Sequence, residues 1–165
     1  MRTIDNINGL KKSEFLSIFG NVFEKTESVA LKVFELKPFK DSDDIVSKML
    51  KIYEEYDRDK ILQILNSHPE LAIEKKLTNE SKLEQTSANL NECSKEEFEE
   101  FKKLNLEYKI KFGFPFIIAV KGKNKNEILV NFRERIKNDL NKEFFEAKIQ
   151  VKKIASFRLK DILSI

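Results

Sequence analysis

The stretch FGFPFIIAV, residues 112–120, decides how the fold is read, because it is the one run that resembles a strand in a chain otherwise patterned for helix. It is apolar, rich in residues that favour β structure, and broken by Gly113 and Pro115. No second run of this kind is evident to pair with it, and a lone strand is not stable in water. The stretch therefore reads as an extended, buried connector whose N–H and C=O groups need partners other than a ladder. Side chains or water along a plain hydrophobic linker would serve, and the pattern alone favours them; a bound polar ligand is the other way to satisfy those groups.

On either side of the connector, helical spacing takes over. Phe98, Phe101, Leu104 and Tyr108 follow a capping box made by Ser94 and Glu97, and Asn124 with Glu127 resembles another before Ile128, Phe132 and Ile136. Phe15, Ile18, Phe19 and Phe23 recur three and four apart, as do Val29, Val33 and Phe34, then Ile45, Met49, Ile52 and Tyr53. The last segment, Phe144 to Ile162, is apolar at Ala147, Val151, Ile154, Ala155 and Ile162. The pattern predicts an all-α fold, a single-domain compact helical bundle of roughly eight to ten helices, each near the usual length of about 11 residues.

Composition agrees with one packed globule: 165 residues allow one core, and 14 Phe with 41% hydrophobic residues would fill it. The net charge of +3 comes from Lys and Glu mixed along almost every segment, which argues against a nucleic-acid partner. A single Cys93 and a single His68 cannot build a zinc site, so neither a metal nor a disulfide is expected. No apolar run nears the ~20 residues needed to cross a bilayer, and the opening MRTIDNING lacks a signal-peptide core. A soluble, cytoplasmic protein without membrane contact is expected, and the last residues, Leu163-Ser164-Ile165, are not a peroxisomal address.

His68 stands in ILNSHPELA, residues 64–72. The helix before it must end near Ser67, because a residue preceding proline is pushed out of the helical region, and Pro69 suits the first position of a following helix. The imidazole would thus sit at a corner, able to exchange a proton near neutral pH; the plainer reading is a structural histidine that closes a helix. In SKLEQTSA, residues 81–88, helical spacing puts Ser81, Glu84, Gln85 and Ala88 on one face, where hydroxyl, carboxylate and amide either grip a small polar molecule or meet solvent. Arg158 falls in line with the apolar stripe of the last helix, four after Ile154 and four before Ile162. It must snorkel to the surface, pair with a carboxylate such as Glu84, or receive an anionic ligand.

Taken together, HPELA at 68–72, ESKLEQ at 80–85, LNLEYKIKFGFPFIIAVKG at 104–122, RERIKND at 133–139 and IASFRL at 154–159 resemble the 2-oxo-4-hydroxy-4-carboxy-5-ureidoimidazoline (OHCU) decarboxylase family. The resemblance runs over nearly the whole chain, with the motifs in family order, so residues 1–165 read as a single OHCU decarboxylase-like domain. It implies a cofactor-free, usually homodimeric enzyme of urate breakdown that converts OHCU to (S)-allantoin. By that resemblance His68 and Glu84 are catalytic, and Pro69, Ser81, Gln85 and Arg158 bind substrate, as does the main chain of Phe116, Ile117, Ile118, Ala119 and Val120. Glu84 would either fix the tautomer of the histidine or bind ureido N–H groups. The chain departs from the family pattern by about four residues missing between HPELA and the Glu84–Gln85 pair, by Ser87-Ala88-Asn89-Leu90 where Ala-Gly-Leu is usual, and by the lack of an aromatic near Ser28. A family member with altered substrate, or a non-enzymatic helical interaction module, is the alternative.

Overall fold

The computed structural model describes residues 3–72 and 77–165. Among them are nine α-helices and no strand: α1 Ile4–Gly9, α2 Lys12–Phe19, α3 Ser28–Phe34, α4 Ser42–Glu54, α5 Arg58–Ser67, α6 Asn79–Ser87, α7 Lys95–Phe112, α8 Lys125–Arg135 and α9 Leu140–Leu163. The all-α expectation holds. The chain groups into two compact units, Met1–Ser67 with Lys152–Ile165, and His68–Val151.

In the first unit the phenylalanine-rich core follows the predicted spacing. Phe15 and Phe19 are fully enclosed, with ring centroids 4.6 Å apart, and Phe15 also stacks on Phe39 at 6.0 Å. Phe23 stacks on Tyr53 at 4.8 Å, which joins the turn after α2 to the buried face of α4. Asn8 ties the chain ahead of α4 to α1, since its side chain accepts from the Phe39 N–H and donates to the Phe39 carbonyl. Asp57 begins α5 by accepting from the Lys60 N–H at 2.8 Å, and the helix ends at Ser67 as the following His-Pro pair requires.

The second unit is built on α7. Its start is the predicted capping box: Ser94 accepts from the Glu97 N–H, and the Glu97 carboxylate accepts from the Ser94 N–H. Its end is Gly113 at φ 78°, a left-handed position that glycine adopts without a Cβ clash, with its N–H returned to the Lys109 carbonyl. The chain then leaves the helix through Pro115 into the connector, which carries neither helix nor ladder pairing through Val120. Tyr108 meets Phe114, Phe116 and Phe132 edge-on, and Phe116 lies flat against Phe132 at 3.8 Å. The Asn124–Glu127 capping box opens α8 as expected.

Two expectations need correction. Helix lengths are uneven, since α7 has 18 residues and α9 has 24 rather than about 11 each. Pro69 does not open a helix: residues 69–72 are non-helical, Ala72 takes the left-handed φ of 51°, and among the described residues the next helix is α6, from Asn79 under the Thr78 cap. A left-handed residue cannot continue a right-handed helix, so the turn at Ala72 overrides the preference of Pro69.

Candidate active site

His68 is the first residue of the second unit and is 8% exposed. What fixes the backbone behind it is Gln85. Its side-chain oxygen accepts from the Ala72 N–H at 3.1 Å, and its side-chain nitrogen donates to the Glu70 carbonyl at 3.1 Å. Asn105 of α7 donates to the carbonyl between them, that of Leu71, at 2.9 Å. Three consecutive residues after the His-Pro pair are therefore each held by a buried side-chain amide. These bonds hold Ala72 in a conformation that costs a residue bearing a Cβ about 1–2 kcal/mol.

The predicted polar face on α6 is real. Ser81, Gln85 and Ala88 are buried and Glu84 is half-buried, while Lys82, Leu83 and Thr86 point out. Through Gln85 this face is tied to the HPELA segment, so two of the motifs named above meet in one place. Residues 73–76, in the shortened link between them, lie outside the described residues.

The connector is held by different hands. The Arg135 guanidinium donates from Nη1 to the Ile117 carbonyl at 2.7 Å and lies over the Phe116 ring at 4.5 Å. Glu143, fully enclosed, orients that guanidinium: Arg135 Nε donates to Oε1 at 2.7 Å, Tyr108 donates its hydroxyl to the same oxygen at 2.5 Å, and Asn138 donates to Oε2 at 2.8 Å. Burial pushes the Tyr108 phenol far above its ordinary range, so it stays a neutral donor. Gln150 of α9 accepts from the Ala119 N–H at 2.9 Å, and the Val120 carbonyl accepts from Lys123. Side chains thus meet part of the need for partners, as the plainer reading of the connector held, and the Ala119 N–H is not open to a ligand. Neither peptide group of Ile118 is engaged by a hydrogen bond among the described residues.

α7 relates the two segments. Asn105 and Tyr108 are one turn apart on its buried face; the first holds Leu71 and the second packs on Phe116 with centroids 5.3 Å apart. Arg158 belongs to the other unit and is 5% exposed, so it does not snorkel. Its Nη2 lies 3.0 Å from the enclosed Glu24 carboxylate and its Nη1 donates to the Asn21 carbonyl at 3.0 Å. Sequence reasoning offered Glu84 as the carboxylate and missed Glu24. It also missed Asn105, Arg135, Glu143 and Gln150, all buried polar residues. Among the described residues no group of three or more His, Cys, Asp or Glu could hold a metal ion, and no helix is long and apolar enough to cross a membrane.

A buried imidazole whose following backbone is tied through the Gln85 amide to a helix face that also carries Ser81 and Glu84 is an arrangement that can serve acid–base chemistry on a small polar molecule. Residues 8–160 match the OHCU decarboxylase family, and the chain belongs to that family. It is 35% identical over 162 residues to 2-oxo-4-hydroxy-4-carboxy-5-ureidoimidazoline decarboxylase of Haloferax volcanii, covering 98% of this chain and 96% of that protein. It is 38% identical, over 98% of its length, to a uric acid degradation bifunctional protein of Bacillus sp. strain TB-90, of which it spans 32%. The chain thus spans about a third of the length of such bifunctional relatives. A crystal structure of (S)-allantoin synthase superposes with a TM-score of 0.80 at 25% identity, covering 99% of this chain and 54% of that one.

Proposed function

We propose that this chain converts OHCU to (S)-allantoin without a cofactor, with His68 as the acid–base group at the reacting carbon. The observation that carries the reading is the pair Asn105 and Tyr108, through which one helix face supports both the segment behind His68 and the peptide run that follows Pro115. In the reaction the bond from ring carbon to carboxylate breaks, its electron pair moves into the ring carbonyl system, carbon dioxide leaves, and one proton returns to the ring. An acceptor for the charge and a proton source on one face are what catalysis must add. His68 supplies the proton, and the main chain of Phe116 to Val120, with Ile118 the residue left unengaged, holds the ring and stabilises the enolate-like intermediate. Ser81 and Glu84 bind the ureido arm or set the imidazole tautomer, Pro69 and Gln85 shape the same wall, and Arg158 binds substrate with its guanidinium held by Glu24.

Residues 1–165 act as a single OHCU decarboxylase-like domain in this reading, supported by a family match that runs across both units. The enzyme works in the cytoplasm as a homodimer, and Leu106 with Ile110 on α7 and Phe145 with Ile149 on α9, exposed pairs four residues apart, are apolar surface that such pairing would cover. Freshly generated OHCU, followed by the optical activity of the allantoin formed, tests the function. His68→Asn should lose stereospecific turnover by a factor of about 10²–10⁴ with the fold unchanged; undiminished activity in that variant would remove His68 from the mechanism.

A further inference from the structure

Two side chains determine how Ile118 presents itself. In a trans peptide the C=O and N–H point in opposite directions, and the only cis bond among the described residues is Lys37–Pro38. The Ile117 carbonyl is drawn to Arg135, so the Ile118 N–H, in the same peptide plane, points away from Arg135. The Ala119 N–H is drawn to Gln150, so the Ile118 carbonyl points away from Gln150. One residue thus offers a donor and an acceptor, both buried, both without a hydrogen bond among the described residues, and both aimed by what grips the far end of their peptide planes.

The grip at Gln150 is itself oriented. Its amide could face the connector with either end, but Nε2 donates to the Glu146 carboxylate at 2.7 Å, and an ionised carboxylate only accepts. Oε1 is therefore the end that meets Ala119. Carboxylate, amide and peptide form a short relay along one turn of α9, and each bond polarises the next. On the first side Glu143 performs the same service for Arg135.

We propose that Gln150, set by Glu146, is a positioning residue for the reaction: by holding the Ala119 N–H it turns the Ile118 carbonyl toward the substrate, where it accepts from a substrate N–H, while Arg135 aims the Ile118 N–H at a substrate carbonyl. The inference rests on the decarboxylase reading and adds to it residues that touch no reacting atom.

The test uses the full chain as wild type, Gln150→Leu, Glu146→Ala and the double swap Glu146→Gln with Gln150→Glu, which preserves an acceptor for Ala119 and the bond between the two side chains. Steady-state kcat and KM are measured per folded enzyme, and amide exchange at Ala119 is followed by NMR without substrate. Gln150→Leu should speed Ala119 exchange at least tenfold and lower kcat/KM at least tenfold, mainly through KM. Glu146→Ala, at a half-exposed position that leaves the core intact, should shift both in the same direction by about threefold. The double swap should restore both. Free exchange at Ala119 with wild-type kcat and KM would overturn the inference, as would a swap that restores protection but not kinetics. A wild-type chain without turnover would overturn the functional reading instead, a separate result.

Discussion

Gln85 holds Ala72 in a left-handed turn: its side-chain oxygen accepts from the Ala72 N–H while the same amide donates to Glu70, spanning the residue between. The bond fixes a strained backbone four residues after His68. Gln85→Ala leaves the buried Ala72 N–H and the half-buried Glu70 carbonyl without this partner and removes what holds the turn. The expected loss is about 2–4 kcal/mol in urea unfolding, with a fall in kcat beyond what the folded fraction explains. A variant with wild-type stability would show that the turn holds itself.

Arg158 and Glu24 form the other buried arrangement open to direct test. Removing either partner strands a charge away from water, so Arg158→Met or Glu24→Leu alone should cost about 3–5 kcal/mol. The double variant replaces the pair with apolar side chains and should recover much of that loss in a double-mutant cycle. If Arg158 also binds substrate, the double variant will be folded yet retain a raised KM, whereas a purely structural pair would leave KM alone.

Stability should fall on the acid side through three surface acids. Hydrogen bonds from Lys48, Lys125 and Arg133 hold the carboxyl groups of Asp44, Glu97 and Glu100 below the ordinary range. A carboxyl depressed in the folded state favours folding above its unfolded pKa, here 3.8 for Asp44 and 4.5 for the two glutamates, and the benefit is lost as pH falls through the lower folded values. Melting temperature should hold level near neutrality and drop below about pH 4.5. In the combined Asp44→Asn, Glu97→Gln and Glu100→Gln variant the acid limb should be shallower. Because these pairs face water, high salt should shrink the difference at neutral pH; an unchanged acid limb would place the titrating groups elsewhere.

The helices were legible because a period of 3.6 in phenylalanine and isoleucine, capped by Ser94 and Asn124, leaves few alternatives. The His68 corner was half legible: proline ends α5, but the turn at Ala72 depends on an amide 13 residues onward, which no local rule supplies. The polar face of Ser81, Glu84 and Gln85 could be read from spacing, yet not that Gln85 would bind backbone. Apart from Glu24, which lies in the turn after α2, the residues that went unnoticed share the signature of Arg158. Asn105 stands four after Phe101, Arg135 three after Phe132, and Glu143 and Gln150 bracket Ala147, so each is a polar residue on an apolar stripe. Reading every such position as a demand for a partner would have found the network, though not who meets whom.

Glu143 gathers donors from α7, from the end of α8 and from the turn before α9 on one carboxylate sealed from water. Any partial detachment of those segments would leave an anion in an apolar interior with too few donors, a state several kcal/mol uphill. The segments that meet on Glu143 should accordingly open together, and slow-exchanging amides in α7 and α8 should share a single opening free energy.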